Sequence, residues 1–197
     1  MAVLVMVEIP GAGIEQYEQV SRALGLRDPD AEAPEGLIWH VAGEADGVLT
    51  IVDAWESPEA FERLMERAAP EIAKTGAPAA QPRVLPLHNH IPQGKGTRPN
   101  VIAIIEAEGF GPDAYDAVIS GMPAHEGDGS NHPAVSHAAA VTDEGMVFVD
   151  VWDSPESLGR FAEEQIGPAA AESGLGSLDP RFVPVHNRMV GKAHASA

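Results

Sequence analysis

The chain says the same thing twice. "DAWESPEAFERL" at 53–64 returns as "DVWDSPESLGRF" at 150–161, and the likeness extends along most of the sequence. "EIPGAGIEQYEQV" from Glu8 matches "EAEGFGPDAYDAV" from Glu106; His40 matches His137, Asp53 matches Asp150 and Trp55 matches Trp152. "PRVLPLHNHI" from Pro82 matches "PRFVPVHNRM" from Pro180. The spacing between copies shortens by one residue before His137 and lengthens by one again inside the later helix, so two single-residue length changes separate the copies. An internal repeat constrains a fold more than any composition does, because whatever one copy forms the other must form too.

Each copy reads as six elements. "VLVMVEI" has the length and apolarity of a buried strand. "GIEQYEQVSRAL" spaces Tyr17, Val20 and Leu24 as one face of a helix. "GLIWHVAG" and "GVLTIVDAW" form a hairpin about a short turn at Glu44–Gly47. A second helix follows, with Ser57 as N-cap, Pro58 at its first position, Phe61, Leu64, Ala68 and Ile72 as its buried stripe, and Gly76 ending it. "PRVLPLHNHI" supplies the last strand. The order β-α-β-β-α-β is the split βαβ, ferredoxin-like unit of the α+β class. The expected organisation is a first repeat at 1–91, a Pro/Gly-rich linker at 92–99, a second repeat at 100–191 and a tail at 192–197. Two helices cover one face of such a sheet, and a bare apolar face needs a partner, which a second copy supplies.

The patterns "GLIWHVAG", "VDAWESPEAF" and "PLHN" resemble the dimeric α/β-barrel superfamily, which includes the antibiotic biosynthesis monooxygenase-like proteins, and within it small uncharacterised actinobacterial members. The likeness covers roughly residues 3–91 and 101–190. It implies two ferredoxin-like repeats packed sheet to sheet as an intramolecular barrel, a tandem fusion in place of the usual homodimer. Such a pseudo-dimer is expected as a monomer, with further homo-oligomerisation left open. The last strand of one unit would then meet the second strand of the other, bringing His186 near the His40 strand and His88 near the His137 strand. Haem-degrading relatives carry an Asn on the first strand and a His on the helix after the Trp. Neither copy has them, so only Trp55 and Trp152 match that pattern and haem degradation is disfavoured.

The residues themselves suggest chemistry at His40 and Asp53. In a hairpin centred between Asp46 and Gly47 these two stand opposite each other, as do His137 and Asp150 in the second copy. Directly opposed strand residues have Cβ atoms about 5 Å apart. A carboxylate there fixes the imidazole tautomer and raises its basicity, which suits a general base; the plainer reading is a structural pair that satisfies itself. Trp55 and Trp152 close their strands before a helix cap, as core plugs or as walls of an aromatic pocket. Tyr17 and Tyr115 lie on the apolar helix stripe and need a hydroxyl partner if buried. Glu8 and Glu106 end their strands; pointing inward beside the His–Asp pair, they would complete a divalent-metal set, although no HxH or HExxH spacing supports a metal. His88-Asn89 and His186-Asn187 repeat as "P-[LV]-H-N". Adjacent strand residues face opposite ways, so the two members of each pair are expected not to share a pocket. "PAHEGDGSNHP" at 123–133 reads as a solvated loop, or as a lid bringing His125 or His132 to a ligand.

Other functions are excluded or disfavoured. A net charge of −18 with 12 Lys+Arg opposes a nucleic-acid partner and an anionic membrane surface. Without Cys there is no disulfide, thiolate ligand or Cys nucleophile. No Walker A, G-x-S-x-G or dinucleotide fingerprint appears, so no organic cofactor is expected. With neither a signal peptide nor an apolar run of membrane-span length, a cytoplasmic location is expected. The expected function is a small-molecule enzyme acting on an apolar or aromatic, polyketide-like substrate. It would carry out cofactor-independent oxygenation, isomerisation or cyclisation with a His–Asp base. The alternative is a non-catalytic protein that binds or sequesters such a molecule.

Overall fold

The computed structural model describes residues 1–28, 31–122, 130–170 and 179–192. Its elements run in chain order as β1 (Val3–Pro10), α1 (Ile14–Ala23), β2 (Leu37–Ala45), β3 (Val48–Trp55), α2 (Pro58–Thr75) and β4 (Arg83–Ile91). Then come β5 (Val101–Glu108), α3 (Pro112–Ser120), β6 (Ser136–Val141), β7 (Gly145–Trp152), α4 (Pro155–Phe161), a π-helical turn (Ala162–Ile166), α5 (Gly167–Ala170) and β8 (Arg181–Val190). The protein is α+β, with eight strands in antiparallel pairings among the described residues. Among the described residues no helix is long and apolar enough to cross a membrane.

The chain forms two compact units, Met1–Val84 with Val183–Ala197, and Leu85–Phe182. In the first, the sheet order is β1-β3-β2-β8; in the second it is β5-β7-β6-β4. Each sheet therefore takes its fourth strand from the far half of the sequence: β8 pairs with β2, and β4 with β6. The compact units cut across the expected repeats at these two strands.

Local chemistry explains the elements. The β2–β3 turn places Asp46 at φ 52° and Gly47 at φ 73°. Two successive left-handed residues match the twist of a two-residue hairpin, and an Asp-Gly pair accepts them at low cost. The register follows, with His40 opposite Asp53 and Val41 opposite Val52. Ser57 Oγ accepts from the Ala60 N–H at N-cap, Pro58 opens α2 and Gly76 closes it at φ 69°. Of the expected stripe on α2, Phe61 and Ala68 are buried, while Leu64 and Ile72 are half-buried.

The corresponding helix of the second unit is not regular. Between α4 and α5 the backbone makes the π-helical turn Ala162–Ile166. A π turn holds one residue more than an α turn, and the single-residue length change inside this helix is absorbed there.

Alternation sorts the strands into two faces. On the helix side of the first sheet, Val3, Val5, Leu37 and Trp55 pack with Phe61, and Ala42 and Leu49 pack with Tyr17. In the second unit one cluster joins Ile105, Phe148 and Trp152 to Tyr115, Leu158 and Phe161. Asp53 stands opposite Val5, and Asp150 opposite Ala103, so both carboxylates lie on the helix side of their sheets. The other faces are apolar and buried too, at Leu4, Trp39 and Val52 in the first unit and Ile102, Val147 and Val149 in the second.

Candidate functional site

Each unit holds a chain of hydrogen bonds running from sheet to helix. In the first, His40 Nδ1 lies 2.6 Å from Asp53 Oδ1 and His40 Nε2 lies 2.8 Å from the Tyr17 hydroxyl. Asn187 Nδ2 donates to that hydroxyl at 2.6 Å. In the second, His137 Nδ1 lies 2.6 Å from Asp150 Oδ1, His137 Nε2 lies 2.8 Å from the Tyr115 hydroxyl, and Asn89 Nδ2 donates to it at 3.0 Å. The tyrosine and imidazole rings are nearly parallel in both, at 9° and 7°. Opposed hairpin positions supply Asp and His, the first helix of the unit supplies Tyr, and the strand from the far half supplies Asn.

The pairs His88-Asn89 and His186-Asn187 correct an expectation from alternation. Both members of each pair turn toward the same helix: His186 Nε2 meets Glu18 Oε1 at 2.6 Å beside the Asn187–Tyr17 bond, and His88 Nε2 meets Asp116 Oδ1 at 2.7 Å beside the Asn89–Tyr115 bond. A β-bulge is the cause. The register shifts between Ala42↔Asn187 and Gly43↔Val185, leaving His186 as the extra residue, and between Leu87↔Ala140 and Asn89↔Ala139, leaving His88. A bulge inserts one residue and re-aims its side chain. Gly43 belongs to this geometry, since a Cβ there would stand 2.1 Å from the Pro184 carbonyl oxygen.

The two sites differ in their surroundings. In the first, Arg27 Nη1 donates to Asn187 Oδ1 at 2.6 Å and its Nη2 pairs with Glu18 at 2.8 Å, and the His40 side chain is 15% exposed. In the second, the His137 side chain is 7% exposed. His132, fully buried, stacks on His137 with ring centroids 5.4 Å apart, and its Nδ1 accepts from the Ala134 N–H. Trp152 Nε1 donates to Asp150 Oδ2 at 3.3 Å. The equivalent Trp55 Nε1 has no hydrogen-bond partner among the described residues; Trp55 packs on Phe61 as a core aromatic.

Electrostatics follow burial and pairing. Burial pushes the Asp150 carboxyl up, but the His137 charge and hydrogen bond, the His132 imidazole and the Trp152 indole together hold it below the usual carboxylate range. Burial raises the Tyr115 phenol well above its ordinary value, against the hydrogen bond from Asn89. Burial also raises Tyr17, opposed by Asn187, Ser21 and Arg27. The hydrogen bond from His186 lowers Glu18.

A cavity of about 60 Å³ adjoins the second chain of bonds, lined by Tyr115, His132, His137 and Asp150 on its polar side and by Phe110, Phe148 and Phe161 among its apolar walls. Leu158 and Ile166, on either side of the π-turn's start, also line it. π turns recur at functional sites, where they re-aim side chains. An engineered cavity of about 150 Å³ holds benzene, so a ring-sized ligand enters here only if an aromatic side chain swings aside.

Glu8 and Glu106 are not brought to the site. They stand opposite Thr50 and Val147, on the other face of each sheet from Asp53 and Asp150, and are exposed. The expected Glu/His/Asp metal set is therefore not assembled, and among the described residues no group of three His, Asp or Glu could hold a metal ion. His132 leaves the solvated-loop reading and joins the cavity wall, while His125 lies outside the described residues. Sequence reasoning missed Glu18, Asp116 and Arg27, exposed-looking helix and loop charges whose partners lie far away in the chain, and it missed the phenylalanine walls.

The fold is shared with solved structures. A candidate monooxygenase from Lactobacillus acidophilus superposes with a TM-score of 0.69 at 14% identity, covering 96% of this chain and 96% of that one. A candidate monooxygenase from Fusobacterium nucleatum subsp. nucleatum gives 0.68 at 10% identity, covering 97% and 94%. An anthrone oxidase-like protein gives 0.50 at 12% identity, covering 100% and 96%. No protein-family model and no curated protein matches the chain. Over nearly its whole length, then, the chain has the fold of two proteins named as candidate monooxygenases.

Proposed function

We propose that the protein is a small-molecule enzyme of the antibiotic biosynthesis monooxygenase-like type, a tandem fusion of two ancestral units that works at the second-unit cavity. The observation that carries this reading is the Asp150–His137–Tyr115 chain opening on an apolar cavity. A carbon or phenolic acid bound there loses its proton toward His137. Because Tyr115 occupies Nε2, the phenolic oxygen takes the substrate proton as the tyrosine's own proton passes to Nε2. The imidazolium that results lies against Asp150, which stays a carboxylate and stabilises it. The carbanion then reacts with dioxygen or cyclises without an organic cofactor. The names of the structural neighbours support the same reaction class.

The test uses carbon acids graded in size from a simple 1,3-diketone to anthrone, incubated in D₂O with the full chain, reading C–H/C–D exchange by NMR. Exchange is expected to fall about 10²–10⁴-fold in His137→Gln. Exchange at the wild-type rate in both His137→Gln and Asp150→Asn overturns the assignment.

One observation favours a second reading, a binding protein without turnover: in each unit the Asp, His, Tyr and Asn side chains already bond to one another, and the second unit's cavity is small. Ligand recovered unchanged after long incubation, with binding lost in Phe148→Trp, supports it.

A further inference from the structure

Asn89 and Asn187 make the same contact in two different settings, and its chemistry dictates a direction. An amide nitrogen can only donate. Asn89 Nδ2 points at the Tyr115 hydroxyl, so that oxygen accepts and its proton must go elsewhere. His137 Nε2, at 2.8 Å, can take it. Nε2 is then a bare acceptor, which places the imidazole proton on Nδ1, facing the Asp150 carboxylate at 2.6 Å. In the first unit Ser21 also reaches the Tyr17 hydroxyl, and the amide's orientation is fixed by Arg27, which can only donate, sits on Asn187 Oδ1 and leaves Nδ2 for Tyr17.

We propose that Asn89 is a positioning residue that sets the direction of the Asp150–His137–Tyr115 relay, with Asn187 doing the same for Asp53–His40–Tyr17. Each is delivered by a bulged strand from the far half of the sequence. The catalytic consequence rests on the proton transfer proposed above; the tautomer does not. With the proton on Nδ1, the imidazole can receive the tyrosine's proton. With the opposite tautomer, Nε2 would already carry one and the relay could not run.

Among the described residues His137 is faced by Asp150 on β7, Tyr115 on α3 and His132 ahead of β6, with the Asp116–His88 pair beyond Tyr115. Asn89→Asp changes one donor into an acceptor with little change of shape. Its carboxylate takes the Tyr115 proton, the phenolic oxygen then presents a lone pair to Nε2, and His137 is drawn into the imidazolium form between two acceptors.

The measurement is ¹⁵N NMR of the histidine side chains in the full-length labelled protein, with no substrate. In the wild type at neutral pH, His137 and His40 are expected as Nδ1–H tautomers. Asn89→Asp is expected to raise the proton affinity of His137 at least about tenfold, one unit on the pH axis, and to leave His40 as it was. Asn187→Asp does the reverse. Asn89→Leu removes the donor and frees the Tyr115 hydroxyl to turn, and is expected to bring an Nε2–H fraction of His137 into the spectrum; a folded Asn89→Leu protein whose His137 tautomer is as pure as the wild type's overturns the proposal. An Nε2–H tautomer in the wild type overturns the proposal, and that readout needs no variant to fold. So does a folded Asn89→Asp protein whose His137 titrates as in the wild type. Loss of substrate exchange with the expected tautomers intact would instead count against the enzymatic reading alone.

Discussion

The two aspartates sit in nearly the same hydrogen-bonded setting, so replacing each by Asn isolates one difference between the sites. Asp150 accepts from two buried donors, His137 Nδ1 at 2.6 Å and Trp152 Nε1 at 3.3 Å. Asp150→Asn keeps one carbonyl oxygen for His137 and turns an NH₂ toward the indole N–H, leaving a buried donor facing a donor. An unsatisfied buried polar group costs about 1–3 kcal/mol. In the first unit Trp55 Nε1 has no hydrogen-bond partner among the described residues, so Asp53→Asn forfeits little beyond the charge on one hydrogen bond, about 1 kcal/mol. Asp150→Asn should therefore be the more destabilising, by about 1–2 kcal/mol, in urea unfolding at neutral pH followed by tryptophan fluorescence. The acid limb gives an independent check. Asp150 is held below its unfolded-state value, about 3.9 for a free Asp, by His137, His132 and Trp152 acting against burial. A carboxyl depressed in the folded state stabilises fully above its unfolded value and loses that contribution as pH falls through the folded one. The gap between wild type and Asp150→Asn should thus narrow below about pH 4. Equal costs for the two variants at neutral pH, or a gap that widens in acid, refute the reasoning.

The sequence contains 2 tyrosines, and burial raises both phenols. Phenolate absorbance in the near ultraviolet should stay absent through about pH 10, the free value, and appear only as the protein unfolds in alkali; a phenol raised in the folded state loses stability as pH climbs past its unfolded value. Normal titration of either tyrosine in folded protein contradicts the hydrogen-bonded burial described here. Gly43→Ala puts a Cβ 2.1 Å from a backbone oxygen at the bulge and should cost about 2–3 kcal/mol or more in thermal unfolding. Gly159→Ala, inside α4 with nothing within 4 Å of the new Cβ, should instead gain about 0.5–1 kcal/mol.

Much of the α+β architecture was legible because its determinants are local. Asp46-Gly47 can hardly be anything but a tight turn, and once that turn is placed, His40 must face Asp53. Ser57-Pro58 and Gly76 bracket α2 in the same local way. The offset of one residue within the later helix was visible in the alignment of the copies, but its form was not, because a π turn and a frayed end absorb an extra residue equally well on paper. The bulges were illegible for a related reason. "P-[LV]-H-N" carries no mark of an extra residue, since a bulge is a property of two paired strands, and here the partner of each lies in the other half of the chain. Alternation therefore separated His186 from Asn187, where the structure turns both toward α1. His132 was misjudged because polar, Gly-rich company suggests solvent, whereas its burial depends on Trp152 and Phe161 packing around it.

The exchanged strands also say why a repeat of this kind is not simply two copies of one site. Tyr115, His137 and Asp150 belong to the second repeat, but Asn89 comes from the first; Tyr17, His40 and Asp53 belong to the first, but Asn187 comes from the second. Each chain of hydrogen bonds is complete only when both halves of the sequence contribute. Drift in one half is therefore felt at both sites, through its own Asp–His pair and through the strand it lends. The residues free to diverge are those that only one unit uses: His132, Phe148 and the π turn on one side, Arg27 with its link to Glu18 on the other. The shared hydrogen-bonded chain is held in common while its surroundings differ, one beside a cavity and the other beside a charged link between Arg27 and Glu18.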